Sequence, residues 1–348
     1  MNEPDAQQVQ LLLNAANAGE LQSLEALAGG KNNRVYRVNT SDIQPMLLKV
    51  YFRHPHDPRD RLSTEFRFSQ SAWESGVRCI PKPLGADYSH GLALYEFIEG
   101  TKLESGMVNA SQVRAACNFV QTLNEQRAKH VNLPNASEAC FSLQQHFATI
   151  AGRIRKLEQI EPVDGLHRHA KELVDGRFIK TAKEQLLYAQ WYALKLGFDL
   201  REELPQACRC LSPSDFGFHN AIHNRYDDRL YFFDFEYAGW DDPAKLICDF
   251  FCQPAIPAPQ STFDEFVQAI AALTSDPPRL IARAELLLPL YRIKWICIML
   301  NDFLPVGNSR RAFAENSIAT LERLTRQLVQ ARSAIEQLQQ PAFDAVCL

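Results

Sequence analysis

The chain has 348 residues and a formal net charge of −4, and 46% of its residues are hydrophobic. That length predicts two domains or one large bilobal domain with a buried core. A weakly acidic balance gives no electrostatic support for binding nucleic acid or an anionic membrane. The nine scattered cysteines favour a reducing compartment, and the polar N-terminus does not resemble a secretory signal. We therefore expect a cytoplasmic protein that binds neither nucleic acid nor a membrane.

The first hundred residues predict a small antiparallel sheet with a single helix. A helical opening at about 5–22 precedes strand-like runs at 34–38 and 46–52, in which polar and apolar residues alternate. Residues 58–75 have the spacing of an amphipathic helix. Two more strands are expected near 82–87 and 92–97, which completes the sheet.

From about residue 102 the apolar periodicity is mainly helical, and a short hairpin at 211–237 interrupts it. Helices are expected at 110–128, 137–158, 166–173, 180–197, 242–252, 261–273, 278–304 and 309–338. The change in pattern predicts an N-terminal unit at 1–99 and a C-terminal unit at 100–348. The predicted fold class is α+β.

The hairpin region carries the strongest chemical signal. Asp215 is followed five residues later by Asn220, and Asp234 comes after three aromatic residues, as at the end of a buried strand. Phosphoryl transfer needs metal ions on the phosphates and an acceptor hydroxyl aimed in line. A carboxylate at the hydroxyl, with Asn and Asp oxygens on Mg²⁺, supplies both. Either Asp alone could cap a turn or end a strand, but the complete set indicates phosphoryl transfer.

Two weaker signals lie in the N-terminal unit. Gly29 and Gly30 stand between strand-like runs, where glycine lets backbone amides approach phosphates, although Gly-Gly also makes ordinary hairpin turns. Lys49 lies within an apolar strand, where an ammonium needs a phosphate or carboxylate partner. Glu65 on the following helix is the natural carboxylate. The alternatives are an edge-strand surface lysine and a solvated helix residue.

This ordered set of residues resembles the aminoglycoside phosphotransferase and choline kinase group, which shares the protein-kinase-like fold. The resemblance implies a bilobal molecule, in which a small antiparallel sheet with one helix covers ATP and a larger helical lobe carries the catalytic loop. It also implies that Asp215 is the catalytic carboxylate and that Asn220 and Asp234 bind Mg²⁺. The nucleotide-binding positions implied are Gly29 and Gly30 in the phosphate loop, Asn33 in its G-x-x-N pattern, Lys49 on the α/β-phosphates, Glu65 as partner of that lysine, and Glu96 and Ile98 in the hinge.

The activity implied by the resemblance is transfer of the ATP γ-phosphate to a hydroxyl of a small molecule, such as an aminoglycoside, an amino alcohol or a sugar. The family often has His two residues before the catalytic Asp, where this chain has Pro213. A nucleotide-binding pseudokinase or scaffold is therefore the alternative. A protein kinase is disfavoured, because no Ala-Pro-Glu segment follows Asp234.

Charged residues near these motifs give opposite indications about the acceptor. Asp241 and Asp242 would suit a cationic acceptor if they face the cleft, but they also make a good helix start. Arg292 and Lys294 would suit an anionic acceptor, but they are also typical of a helix whose charged ends reach solvent. The charge of the acceptor stays open. By the resemblance, Asp249 is a buried acid that supports the catalytic loop.

Overall fold

An antiparallel sheet forms from the first hundred residues, with five strands in the order β1-β2-β3-β5-β4. The computed structural model describes residues 4–27, 33–42, 44–51, 59–305 and 317–338. The elements of this part are α1 (Ala6–Ala15), β1 (Leu21–Leu27), β2 (Asn33–Thr40), β3 (Met46–Tyr51), α2 (Arg61–Glu74), β4 (Pro83–Asp87) and β5 (Leu92–Glu96).

The prediction of a helix as far as residue 22 was wrong. The first helix ends at Ala15, and Gly19 has a φ of +70°, a conformation that glycine adopts without strain. The chain then turns into β1, which pairs with β2 from Leu21↔Thr40 to Leu27↔Val35.

The central strand β3 is flanked by β2 and β5, and it carries Lys49. Lys49 pairs in register with Val35 on one side and Ala93 on the other. Its side chain is therefore in the middle of the sheet, and the residue is only 6% exposed. The interpretation of Lys49 as an edge-strand surface residue is wrong.

Helix α2 packs beside this sheet and was predicted from its spacing. Asp60 caps its start by accepting a bond of 3.0 Å from the Ser63 amide, which satisfies one of the free N–H groups of the first turn. The buried face includes Leu62, Glu65 and Phe66. Glu65 is therefore a buried carboxylate on an apolar face, and a solvated helix residue is excluded.

The remainder of the chain is mainly helical and supplies two small sheets, with orders β6-β8-β9 and β10-β7. Its elements are β6 (Thr101–Lys102), α3 (Ala110–Glu125), α4 (Leu143–Leu157), α5 (Gly165–Leu173), α6 (Ile179–Lys195), β7 (Cys210–Ser212), β8 (Ala221–Asn224), β9 (Arg229–Phe232), β10 (Gly239–Asp241), α7 (Pro243–Cys252), α8 (Phe263–Ala271), α9 (Pro277–Leu300) and α10 (Ser317–Leu338). Strands and helices occur together, which confirms the α+β prediction. The boundary between residues 99 and 100 stays a prediction.

The long helix α9 was predicted at 278–304, and it is buried in the largest hydrophobic core. In the part of the chain that the structure describes, no helix is long and apolar enough to cross a membrane. The small sheets position the predicted site residues. The loop between β7 and β8 contains Asp215 and Asn220, and Asp234 lies two residues after the end of β9.

Candidate active site

The ammonium group of Lys49 contacts the carboxylates of two other predicted residues. The Nζ atom of Lys49 is 2.7 Å from Oε1 of Glu65 and 2.9 Å from Oδ1 of Asp234. Lys49 comes from the central strand, Glu65 from α2 and Asp234 from the segment after β9. The predicted Lys49–Glu65 pair is confirmed. The sequence did not show that the same lysine also reaches Asp234.

Burial and pairing act in opposite directions on Lys49. Burial alone lowers the pKa of the ammonium, but the neighbouring carboxylates of Glu65 and Asp234 more than offset it, so the pKa is raised above its ordinary value. Lys49 is therefore a fixed positive charge at neutral pH. A fixed charge at this place can hold phosphate oxygens when a nucleotide is bound.

Glu65 is held from several directions. Its Oε2 accepts a bond of 2.6 Å from the Tyr51 hydroxyl, and its Oε1 also lies 3.3 Å from the backbone nitrogen of Phe235. The Tyr51 hydroxyl is in turn 3.1 Å from that of Tyr95. A buried carboxylate with these partners has little freedom to move, so Lys49 is held in a defined position.

Aromatic residues anchor the loop that carries Asp215. Phe216 and Phe218 are buried, and the ring centroids of Phe216 lie 5.2 Å from Phe232 and 5.1 Å from Phe250. These rings pack in the core on either side of Gly217, and they fix the loop next to Asp215. The side chain of Asp215 is 40% exposed, so it is accessible from solvent.

Asn124 fixes the strand that leads into this loop, and the sequence analysis did not identify it. Its amide donates to the Leu211 carbonyl at 3.0 Å and accepts from the Leu211 nitrogen at 2.8 Å. The side chain thus bonds the backbone of β7, which also pairs with β10, as a second neighbouring strand would. The only signal in the sequence is a polar residue on the apolar face of α3, next to Val120 and Leu123.

The predicted Asp215, Asn220 and Asp234 are connected through short backbone links. The Nδ2 atom of Asn220 donates to the Asp215 carbonyl at 3.0 Å, and the Asn220 carbonyl accepts from the Phe233 nitrogen at 3.0 Å. Ser214 and Asp234 have φ values of +67° and +72°. Left-handed backbone at residues other than glycine is uncommon and costs energy, and it concentrates at functional sites.

The side chains of Asn220 and Asp234 fit a Mg²⁺ ion. The amide nitrogen of Asn220 is engaged with Asp215, so its oxygen is the atom left for a cation. Carboxylate and amide oxygens are the ligands that this hard cation prefers. Within the described ranges, no group of three or more His, Cys, Asp or Glu residues is placed to hold a metal. The remaining ligands would therefore come from water and from nucleotide phosphates.

A second contact between distant segments joins Asn33 and Glu236. The Nδ2 atom of Asn33, at the start of β2, donates to Oε2 of Glu236 at 2.8 Å. The Nε atom of Arg61 lies 3.6 Å from the same oxygen, and all three side chains are buried. Glu236 was not predicted as a site residue, although its position two residues after Asp234 could have indicated that it lies near the site.

The other predicted nucleotide positions are placed only in part. Gly29 and Gly30 lie outside the described residues. Glu96 is the last residue of β5; its nitrogen donates to the Lys82 carbonyl at 2.9 Å, and Ile98 follows two residues later. Their hinge role stays a prediction.

Asp241 and Asp242 are used inside the protein. Asp241 accepts a bond of 2.6 Å from Lys245, and Asp242 accepts one of 2.6 Å from the Nε atom of Arg283. Both aspartates have 0% relative exposure. Asp242 also caps α7 through the Ala244 nitrogen, as its position before Pro243 predicts. Neither carboxylate is available to a cationic acceptor.

Lys294 of α9 is likewise used inside the protein. Lys294 donates to both carboxylate oxygens of Asp249, at 2.8 and 2.9 Å, and Trp295 donates to one of them at 2.9 Å. Lys245 lies 3.5 Å from the other oxygen. The bonds of Asp249 therefore tie α7 to α9, which differs from the expected support of the catalytic loop.

Comparison with known proteins decides the family. A family model described as the phosphotransferase enzyme family matches residues 23–280, well over half of the chain. The chain belongs to this family. The family resemblance predicted from the motifs is thereby confirmed. A search of curated proteins gave no match.

Solved structures show that the phosphotransferase family fold extends over nearly the whole chain. The structure of a choline/ethanolamine kinase family protein from Mesorhizobium loti is 18% identical, with a TM-score of 0.51, and covers 91% of this chain and 93% of its own. Choline kinase LicA from Streptococcus pneumoniae is 16% identical, with a TM-score of 0.55 and coverage of 94% and 100%. Spectinomycin phosphotransferase APH(9)-Ia, in complex with ADP and spectinomycin, is 12% identical, with a TM-score of 0.62 and coverage of 97% and 100%. These neighbours confirm the protein-kinase-like fold.

Proposed function

We propose that this small-molecule phosphotransferase moves the γ-phosphate of ATP, in the presence of Mg²⁺, to a hydroxyl group of a small molecule. The observation that carries the proposal is the position of Lys49, bonded at once to Glu65 and to Asp234. It joins the five-stranded sheet to the segment that bears the proposed metal ligand. The loop with Asp215 and Asn220 is linked to the same segment through Phe233.

In this mechanism Lys49 binds nucleotide phosphate oxygens, and Asp215 orients the acceptor and takes its hydroxyl proton. The acceptor oxygen forms a bond to the γ-phosphorus, the bond from that phosphorus to the bridging oxygen breaks, and ADP leaves with the electron pair. Mg²⁺, when bound by Asn220 and Asp234, neutralises charge on the phosphates. The protein contributes positioning and fixed charges, and no phosphorylated enzyme intermediate is involved.

The acceptor proposed is an aminoglycoside, an amino alcohol, a sugar or a related metabolite. Support comes from the similar solved structures, which are named for choline and ethanolamine kinases and for a phosphotransferase bound to spectinomycin. Asp241, Asp242 and Lys294 are all held in internal ion pairs, with Lys245, Arg283 and Asp249 respectively. These three residues therefore favour neither a cationic nor an anionic acceptor.

A screen of hydroxylated metabolites for acceptor-dependent ADP release tests the proposal. Wild-type protein should release ADP with at least one acceptor, and EDTA should stop the reaction. Asp215→Asn should lower turnover by about 10²–10⁴-fold, the usual contribution of a positioned acid–base group, while ATP still binds. Equal ADP release by wild type and variant would remove Asp215 from the mechanism. ATP binding without turnover under all conditions would favour the pseudokinase alternative.

A further inference from the structure

The imidazole of His219 contacts the carboxylate of Asp215. Its Nε2 atom lies 3.2 Å from Oδ1 of Asp215, and the side chain is 19% exposed. An ionised carboxylate only accepts hydrogen bonds, so Nε2 carries the hydrogen and donates it. The other ring nitrogen, Nδ1, is buried and has no partner among the described residues. Among the described residues, the hydrogen bond to Asp215 is therefore the one polar contact of this ring.

The loop leaves room for this ring. A Cβ atom on Gly217 would lie 2.9 Å from Nδ1 of His219 and 3.2 Å from its Cε1. The φ of Gly217 is 168°, an extended conformation that any residue adopts, so the glycine is required here for space. The imidazole folds back over the Gly217 backbone and reaches Asp215 from there.

Asp215 is thus held at two points. Asn220 binds its backbone carbonyl, and His219 binds one oxygen of its side chain. Its second carboxylate oxygen has no partner in the part of the chain that the structure describes, and it is left for an acceptor hydroxyl. Pro213, where the family often has His, has neither an imidazole nor a backbone N–H to offer to the loop.

We infer that His219 is the positioning residue of Asp215, which holds the carboxylate in the orientation that meets the acceptor hydroxyl. The inference rests on the proposed function of Asp215. In this chain, which has Pro213, the imidazole that reaches the carboxylate comes from the residue four positions after Asp215. Since His219 acts through Asp215, its removal should affect the chemical step and leave nucleotide binding intact.

Three substitutions test this role in the full-length protein. His219→Ala should lower kcat about tenfold, the effect of losing one hydrogen bond of roughly average strength in the transition state. The KM for ATP and the half-saturating Mg²⁺ concentration should stay within about twofold of wild type. His219→Gln can place an amide nitrogen near the position of Nε2 and should recover most of kcat. His219→Asn has the same amide but a shorter side chain, and it should behave like alanine.

A double variant separates positioning from a general structural role. Asp215→Asn with His219→Ala should be no slower than Asp215→Asn alone, because a residue that acts through Asp215 has no effect once the carboxylate is gone. Further loss in the double variant, equal kcat in His219→Ala and wild type, a shifted Mg²⁺ requirement, or a glutamine variant no faster than alanine would each overturn the inference. If wild type and Asp215→Asn release ADP equally, the proposed function fails and this inference fails with it. If only those two differ, and His219→Ala matches wild type, this inference alone is wrong.

Discussion

The Nζ atom of Lys49 lies 2.9 Å from Oδ1 of Asp234, although 185 positions separate the two residues in the chain. The same ammonium is 2.7 Å from Oε1 of Glu65. One buried cation thus fixes the central strand of the sheet, the helix beside it and the segment after β9 relative to one another. This arrangement makes the first two predictions specific.

Lys49→Met should raise the KM for ATP about 10–100-fold, because charge-assisted bonds to phosphate contribute roughly 1.5–3 kcal/mol. The melting temperature should also fall, since the substitution leaves Glu65 buried without its cation. Steady-state kinetics and thermal denaturation measure the two effects. Lys180→Met, at a side chain that is 81% exposed, is the matched control and should change neither. An unchanged KM in Lys49→Met would contradict the phosphate-binding role.

Asp234→Asn should increase the Mg²⁺ concentration needed for half-maximal turnover by about tenfold or more, because an amide is a weaker ligand for a hard cation than a carboxylate. A Mg²⁺ titration at saturating ATP measures this. Asp228→Asn is the matched control, since Asp228 has a similar backbone, with a φ of +57° against +72°, and its side chain is 92% exposed. Asparagine tolerates this conformation, so neither variant should be misfolded. A wild-type titration curve for Asp234→Asn would remove it as a metal ligand.

The Asn33–Glu236 bond should couple the start of β2 to the segment after Asp234. Asn33→Ala and Glu236→Ala should each weaken ATP binding, and the double variant should show a coupling energy of about 0.5–3 kcal/mol, as contacting residues do. Isothermal titration with an ATP analogue measures the four proteins of the cycle. Additivity within about 0.5 kcal/mol would mean that the 2.8 Å contact does not contribute to nucleotide binding.

Asp242 should make the fold sensitive to acid. Burial raises the pKa of this carboxyl, but Arg283 and His146 more than offset that effect and lower the pKa to about 2 from an ordinary value of 3.8. A lowered native pKa means that the stabilisation is complete above about pH 4 and is lost as the pH falls through 2. Asp242→Asn should cost about 3–5 kcal/mol near neutral pH, because it leaves a buried guanidinium without its charge partner.

Urea denaturation between pH 7 and pH 2 measures this difference. The gap between wild type and Asp242→Asn should be constant above about pH 4 and should narrow below it. Asp42→Asn, at an exposed position, serves as the control and should be close to wild type throughout. A gap that stays constant down to pH 2 would show that the charge of Asp242 does not stabilise the fold.

Strand β1 shows why part of the fold could not be predicted. Most of its residues are exposed on both faces, with only Leu21 and Leu24 half-buried, so it lacks the alternation that identifies a strand. Its structure depends on pairing with β2, whose sequence does alternate. Helix α2 was predicted well for the opposite reason, since its apolar residues follow the helical period; it begins three residues later than expected, after the capping residue Asp60.

The sequence alone determined which chemical groups the protein has and in which order: Asp215, Asn220 and Asp234, with Lys49 and Glu65 before them. That information is local, since residue type and short spacing specify a loop and its chemistry. The tertiary structure decided which charges are available. It pairs Asp242 with Arg283 and Asp249 with Lys294, and it places His219 on Asp215. A buried charge requires a partner, but only the packing of distant segments selects that partner, because the energy depends on the separation in space and not along the chain.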